Sequence, residues 1–275
     1  LMKPFHSLVN RIAIAIPGIG LFVVAALLNI PILTVIFFSS IAALCGSEAI
    51  SLLDSGAGIS KKFGGAILAG GAAASVSLLD PAFALVILLI PGTVMSLWWV
   101  LGDGAGDAGK RIAGSIGIMA VIALGFGLLA RLRLDFESPW ILFIPLILCW
   151  VADSMAYFIG SAFGKHKLVP AVSPAKSWEG FIAGIAGAVA GAVFAGTAMA
   201  GLPLFLMVAT GIAGGIAAVT GDLFESALKR DAGIKDTGSI LPGHGGVLDR
   251  FDSILAVVPV VWLILMFYGS AGSSL

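Results

Sequence analysis

Nine apolar runs set the terms for this chain: about 12–28, 31–53, 64–79, 82–101, 112–130, 140–160, 181–199, 203–222 and 251–268. A helix needs about 20 apolar residues to cross the hydrocarbon core of a bilayer. Runs of that length, repeated this often, predict an all-α integral membrane protein, a polytopic bundle of about nine transmembrane helices. Hydrophobic residues make up 59% of the sequence and charged residues 11%, too few to clothe a soluble domain. The first run follows Lys3 and Arg11 as a signal peptide would. With eight similar runs behind it, it reads as a retained first span. The run at 64–79 is short and rich in Ala and Gly, which suits a helix packed inside the bundle.

The basic residues test this topology. Lys3 and Arg11, Lys61 and Lys62, Lys110 and Arg111, then Lys165, Lys167 and Lys176, then Lys229, Arg230, Lys235 and Arg250 fall in alternate connections, which leaves only Arg131 and Arg133 on the other side. By the positive-inside rule the amino terminus and the basic loops are expected in the cytoplasm and the carboxyl terminus outside. Residues 1–139 then carry about five spans, and 140–275 carry about four together with a polar loop at 229–252. Gly187/Gly191 and Gly211/Gly215 are spaced for close helix contact in lipid. Cys45 and Cys149 lie inside apolar runs and read as buried small hydrophobes, not as a disulfide or metal pair. Net charge is zero, so nothing points to nucleic acid.

The loop 229–252 concentrates four bases, four acids and five glycines. Upstream of it, Asp222, Glu225, Ser226 and Lys229 share one helical face at i, i+3, i+4 and i+7. Downstream, Asp249 and Asp252 stand at i and i+3 where the last span begins. Two carboxylate pairs flanking a glycine-rich loop suit one or two hard cations, with Mg²⁺ favoured because it leaves positions open for phosphates. Lys229, Arg230, Lys235 and Arg250 offer the charge that phosphates need. Gly243, Gly245 and Gly246 around His244 let backbone amides approach a ligand. The plainer reading is a charged loop whose ion pairs close a bundle. The equal number of acids argues against it, because the positive-inside rule asks only for bases.

A second cluster lies at 153–180. Asp153 sits well inside an apolar run, where a carboxylate is a functional candidate or a residue bonded within the bundle. Ser173, Lys176, Ser177 and Glu179 are expected to open a helix, with Ser177 as N-cap and Glu179 in the first turn. Lys176 is unwelcome at such an end unless an anion binds there too. The stretch GAGDAGKR at 104–111 imitates a phosphate-binding loop but lacks the closing hydroxyl and a preceding strand, so it reads as an ordinary connection. Glu48, inside the second run, is either a proton-relay residue or a buried, satisfied or neutral carboxyl.

Taken together, SALKRDAGIKDTGSILPGHGGVLDRFD resembles the signature of the phosphatidate cytidylyltransferases, or CDP-diacylglycerol synthases. The match runs through Ser226, Lys229, Arg230, Lys235, Asp236, Gly238, Pro242, Gly243, His244, Gly245, Gly246, Asp249, Arg250 and Asp252. Asp153, Ala156, Tyr157, Phe158 and Gly160, and SPAKSWEG at 173–180, resemble the same family, whereas Ser161 stands where relatives often carry Lys or Arg. The likeness covers about 150–255; the earlier spans match in character only.

The resemblance implies Mg²⁺-dependent condensation of CTP with phosphatidate to CDP-diacylglycerol and pyrophosphate. It implies Asp222 and Asp249 as metal ligands, and Lys229, Arg230, Lys235 and Arg250 on phosphates. Asp153, Lys176, Glu179, Ser226, Asp236, His244, Gly243, Gly245, Gly246 and Asp252 would complete the pocket. The expected setting is the inner membrane of a bacterium, with the site facing the cytoplasm and a homodimer as the assembly. Two rivals stand beside this reading: a CTP-dependent polyprenol or other lipid kinase, and an ion or solute transporter coupled through Asp153 and Asp222.

Overall fold

The computed structural model describes residues 17–18, 20–28, 30–54, 56–79, 81–103, 108–238 and 245–270. The helices among them are α1 (20–27), α2 (Pro31–Leu53), α3 (Ile59–Leu78), α4 (Pro81–Asp103), α5 (Ala108–Leu134), α6 (Phe143–Phe163), α7 (Trp178–Val193), α8 (Leu204–Asp231) and α9 (Asp252–Ser270). Among the described residues, six stretches are long and apolar enough to cross a membrane: Pro31–Leu53, Arg111–Leu134, Pro139–Phe163, Trp178–Met199, Leu204–Asp231 and Asp252–Ser270. The protein is an all-α polytopic membrane protein, as its apolar runs predict. Its exposed surface carries large apolar side chains such as Ile32, Ile36, Phe205 and Phe267, which lipid would cover.

Lys61 and Lys62, expected in a connection, belong to the first turn of α3, where Lys61 pairs with Asp54 at 3.7 Å. Of the stretch at 104–111, residues 104–107 lie outside the described residues and Ala108–Arg111 start α5. The extended strands among the described residues form one hairpin, β1 (Lys167–Val169) antiparallel to β2 (Ser173–Ser177), with Lys167 opposite Ser177 and Val169 opposite Ser173. Ser173 and Lys176 therefore lie on a strand, not on the helix expected for them. Pro174 steers Ser173 toward extended geometry, and the helix begins after Ser177. There the side chain accepts from Gly180 N at 3.2 Å, as an N-cap should.

The chain divides into two compact units, Leu1–Ala130 with Asp231–Phe251, and Arg131–Arg230 with Asp252–Leu275. In the first, α2 and α3 meet backbone to backbone. A Cβ added to Gly65 would lie 2.8 Å from the Gly46 carbonyl oxygen and 2.6 Å from Ile50 Cγ1. Ser77 Oγ donates to Gly127 O at 3.3 Å, tying α3 to α5. Trp99 is buried on α4 and donates to Ser115 Oγ at 3.1 Å, with Lys61 Nζ 4.1 Å from its ring centroid. Cys45 is buried in α2.

The second unit packs through glycine. A Cβ on Gly180 would lie 2.9 Å from Ala156 O, one on Gly187 2.8 Å from Val151 O, and one on Gly191 2.9 Å from Ile147 O, so α6 and α7 touch along their length. Gly211 and Gly215 let α8 approach α7 at Val189 and Ala188 in the same way. The small-residue spacing thus serves helix contact, as expected in lipid. Gly221 brings α8 against α9, where its Cβ would meet Asp252 O at 2.7 Å. Cys149 is buried here as a thiol. On the far side of the unit, Asp135 accepts from Trp262 Nε1 at 3.0 Å and from Arg131 Nε at 2.9 Å.

Candidate active site

The shared face read from α8 exists. Ser226 Oγ donates to Asp222 Oδ1 at 3.2 Å, and Lys229 Nζ donates to Glu225 Oε2 at 3.1 Å, each one helical turn apart. Lys176 arrives on β2 and forms an ion pair with Asp222 Oδ2 at 2.5 Å. Asp252, the first residue of α9, brings its carboxyl within hydrogen-bonding reach of Glu225. Asp153 on α6 lies in the field of Asp252, Asp222 and Lys176. In this unit, four carboxylates and two ammonium groups from α6, β2, α8 and α9 thus form one electrostatic cluster. The anion demanded by Lys176 is supplied by the protein itself, as Asp222.

Glu179 has a second task beside its place in the first turn of α7. It accepts from Lys165 N at 3.2 Å and, through both of its oxygens, from His166 N at 3.3 Å, and its Oε1 meets His166 Nδ1 at 2.7 Å. It therefore closes the chain from α6 into β1. Arg230 Nε donates to Val172 O at 3.4 Å, holding the hairpin turn to the end of α8. Ser161 Oγ donates to Phe158 O at 3.1 Å.

Residues 231–251 of the signature loop belong to the first unit. Asp249 Oδ2 accepts from Thr237 N at 3.0 Å and from Gly246 N at 2.8 Å, which fixes its carboxylate against the loop backbone. Gly245 has φ +82°, and a Cβ there would stand 3.2 Å from Asp249 Oδ2 and 3.4 Å from Asp236 Oδ1. The backbone angle favours glycine. Two carboxylates of the motif, Asp236 and Asp249, consequently flank one point. Lys235 and Arg250 are exposed. Gly243 and His244 lie outside the described residues.

Asp222 and Asp249, the two residues expected as metal ligands, fall in different units, and each is placed within its own. Among the described residues no group of three or more His, Cys, Asp or Glu is arranged to hold a metal ion. The donors present are carboxylate oxygens, which suit Mg²⁺, an ion that takes one or two protein carboxylates and fills the rest of its octahedron with water and phosphate. Glu225, read with Asp222 as one of the carboxylate pairs beside the loop, is joined to Lys229 one turn on. Thr237 is not among the expected site residues: it is a variable position of the signature, and part of its bonding comes from its backbone N–H.

The profile of the cytidylyltransferase family matches residues 9–268. A phosphatidate cytidylyltransferase of Haemophilus influenzae is 44% identical over 142 residues, 47% of this chain and 49% of that protein. One from Bacillus subtilis is 42% identical over 137 residues, 50% of this chain and 51% of the relative. A third, from Pseudomonas aeruginosa, is 36% identical over 194 residues, 66% of this chain and 71% of its own length. The chain spans about half the length of the first two relatives. With the family profile running through almost all of its spans, the chain belongs to the cytidylyltransferase family.

Proposed function

We propose that this membrane protein transfers the cytidylyl group of CTP to phosphatidate, giving CDP-diacylglycerol and pyrophosphate in phospholipid biosynthesis. The observation that carries the proposal is the pairing of acids with bases at the end of α8, Lys176 on Asp222 and Lys229 on Glu225, with Asp153 and Asp252 beside them. Such a mixture suits a reaction that must hold phosphates and a cation together. The names of the relatives support the same chemistry.

The phosphate monoester of phosphatidate is already an anionic oxygen nucleophile. One of its oxygens bonds to the α-phosphorus of CTP, the α–β anhydride bond breaks, and the electron pair leaves on pyrophosphate. No strong general base is required; the difficulty is bringing two polyanions together. Lys229, Arg230, Lys235 and Arg250 are assigned to the phosphates, where fixed positive charge stabilises the transition state. Asp222 and Asp249 are assigned to Mg²⁺, as one or two ions, which when bound neutralise phosphate charge. Asp153, Lys176, Glu179, Ser226, Asp236, Gly243, His244, Gly245, Gly246 and Asp252 are assigned to the shape and charge of the binding site. The proposal includes a bacterial inner membrane, a site on the cytoplasmic side where the basic loops gather, and a homodimer.

The test is the detergent-purified protein with labelled CTP, phosphatidate and Mg²⁺. CDP-diacylglycerol with equimolar pyrophosphate, lost when Mg²⁺ is chelated, is the expected result. A phosphorylated polyprenol with release of CDP would transfer the assignment to the lipid kinases. Solute flux in sealed vesicles without CTP turnover would transfer it to the transporters.

A further inference from the structure

Glu48 is the buried acid that the mechanism does not use. It lies near the end of α2 with 4% of its surface exposed. A carboxyl in such a place is costly unless it is bonded. Its partners among the described residues come from the signature loop. Oε2 accepts from Leu248 N, 200 residues along the chain, at 2.8 Å, and from Thr237 Oγ1 at 3.4 Å.

The loop is shaped around this carboxyl. A Cβ on Gly238 would run into Oε1 and lie 2.7 Å from Cδ, and one on Gly246 would lie 2.7 Å from Oε2. Two glycines of the signature are thereby explained by a residue in another helix, far outside the signature. The residues that touch Glu48 also hold Asp249. Thr237 gives its hydroxyl to Glu48 and its N–H to Asp249, while Gly246 packs on Glu48 and gives its N–H to the same Asp249 oxygen. Leu248, adjacent to Asp249, gives its N–H to Glu48. Both limbs of the loop, 237–238 and 246–248, are clamped at the points from which the Asp249 carboxylate is aimed.

We propose that Glu48 is a positioning residue, which clamps the signature loop from α2 and so sets the orientation of Asp249 and the protein's requirement for Mg²⁺. Its effect on turnover rests on the cytidylyl-transfer reading; its effect on the loop does not. The experiment compares full-length wild type, Glu48→Ala, Glu48→Gln and Gly238→Ala in detergent. Two quantities are measured: the Mg²⁺ concentration giving half-maximal CDP-diacylglycerol formation, and amide exchange of peptides spanning 231–251, with and without Mg²⁺.

Glu48→Ala is expected to raise the Mg²⁺ requirement roughly 10–100-fold, the range for losing a group that orients a metal ligand. It should speed exchange in the loop while peptides from α3 and α5 exchange as in wild type. Glu48→Gln keeps an acceptor for Leu248 N–H and should recover part of both. Gly238→Ala pushes a methyl into the same contact without touching α2 and should reproduce the shift, so the test survives a Glu48→Ala protein that does not fold. An unchanged Mg²⁺ requirement in Gly238→Ala, or exchange raised equally throughout the protein, overturns the proposal. If wild type forms no CDP-diacylglycerol the functional reading fails. Loop exchange and its protection by Mg²⁺ alone then decide the role of Glu48.

Discussion

Replacing Asp249 by Asn and by Ala separates the charge of its carboxylate from the scaffold that the carboxylate provides. Oδ2 accepts two backbone N–H groups, from Thr237 at 3.0 Å and Gly246 at 2.8 Å. In Asp249→Asn the amide oxygen can take both bonds, so the loop keeps its anchor and only the negative charge is lost. In Asp249→Ala both donors lose their acceptor, at about 1–3 kcal/mol for each that water does not replace. The site is part-buried, so water takes up some of that cost and the lower end of the range is expected. Asn should therefore melt close to wild type in detergent, and Ala several degrees below it, on the scale of about 2–4 °C per kcal/mol. Turnover should respond differently. Both variants lack the charge assigned to Mg²⁺, and both should lose roughly 100- to 1,000-fold in kcat/KM, the scale for removing one electrostatic contact to a transition state. Product formation and thermal melting on the same preparations give the comparison. An active Asn variant would refute the metal assignment, and an Ala variant as stable as Asn would refute the anchoring argument.

Other consequences follow from the second unit. Lys176→Ala and Asp222→Asn remove the two halves of one ion pair, so the double variant should lose less activity than the product of the single losses, with a coupling of about 0.5–3 kcal/mol; strict additivity would show that the pair does not act as one. Gly191→Leu places a side chain where even a Cβ would sit 2.9 Å from the Ile147 carbonyl oxygen. A loss of more than about 1–3 kcal/mol is expected, read as a lower yield of monodisperse protein, whereas Gly71→Ala on open surface should be tolerated. Glu179→Ala unties Lys165 and His166 from α7. It should speed protease cleavage within 164–170 and lower kcat/KM by less than Asp222→Asn does; equal losses would restore Glu179 to direct substrate contact.

The helices were legible because lipid leaves little choice: long apolar runs must be helical, and Gly187, Gly191, Gly211 and Gly215 announced their contacts through spacing alone. The face formed by Asp222, Glu225, Ser226 and Lys229 was legible for the same reason, since one helical period carries all four. The hairpin was not, because Ser173 and Lys176 belong to a short strand with no alternating apolar pattern, and only Pro174 argued against a helix there. Lys176 on Asp222 and Glu48 on the loop join residues far apart in the chain, and no local rule carries such pairings. From sequence Glu48 stands between a proton relay and a buried, satisfied or neutral carboxyl; in the structure Oε2 is bonded to Leu248 and Thr237, and Oε1 has no hydrogen-bond partner among the described residues.

The glycine seam between α6 and α7 also has a mechanical meaning. Where backbones lie this close, with Gly180 on Ala156, Gly187 on Val151 and Gly191 on Ile147, neither helix can roll or slide without driving a carbonyl into its neighbour. The two behave as a single stiff beam. Asp153 rides on one rail of that beam, and the Ser177 end of the hairpin, next to Lys176, rides on the other. Any rearrangement within this unit must therefore carry this acid and this base together, with the bending confined to segments outside the beam, such as the turn at Gly201, where φ is +72°.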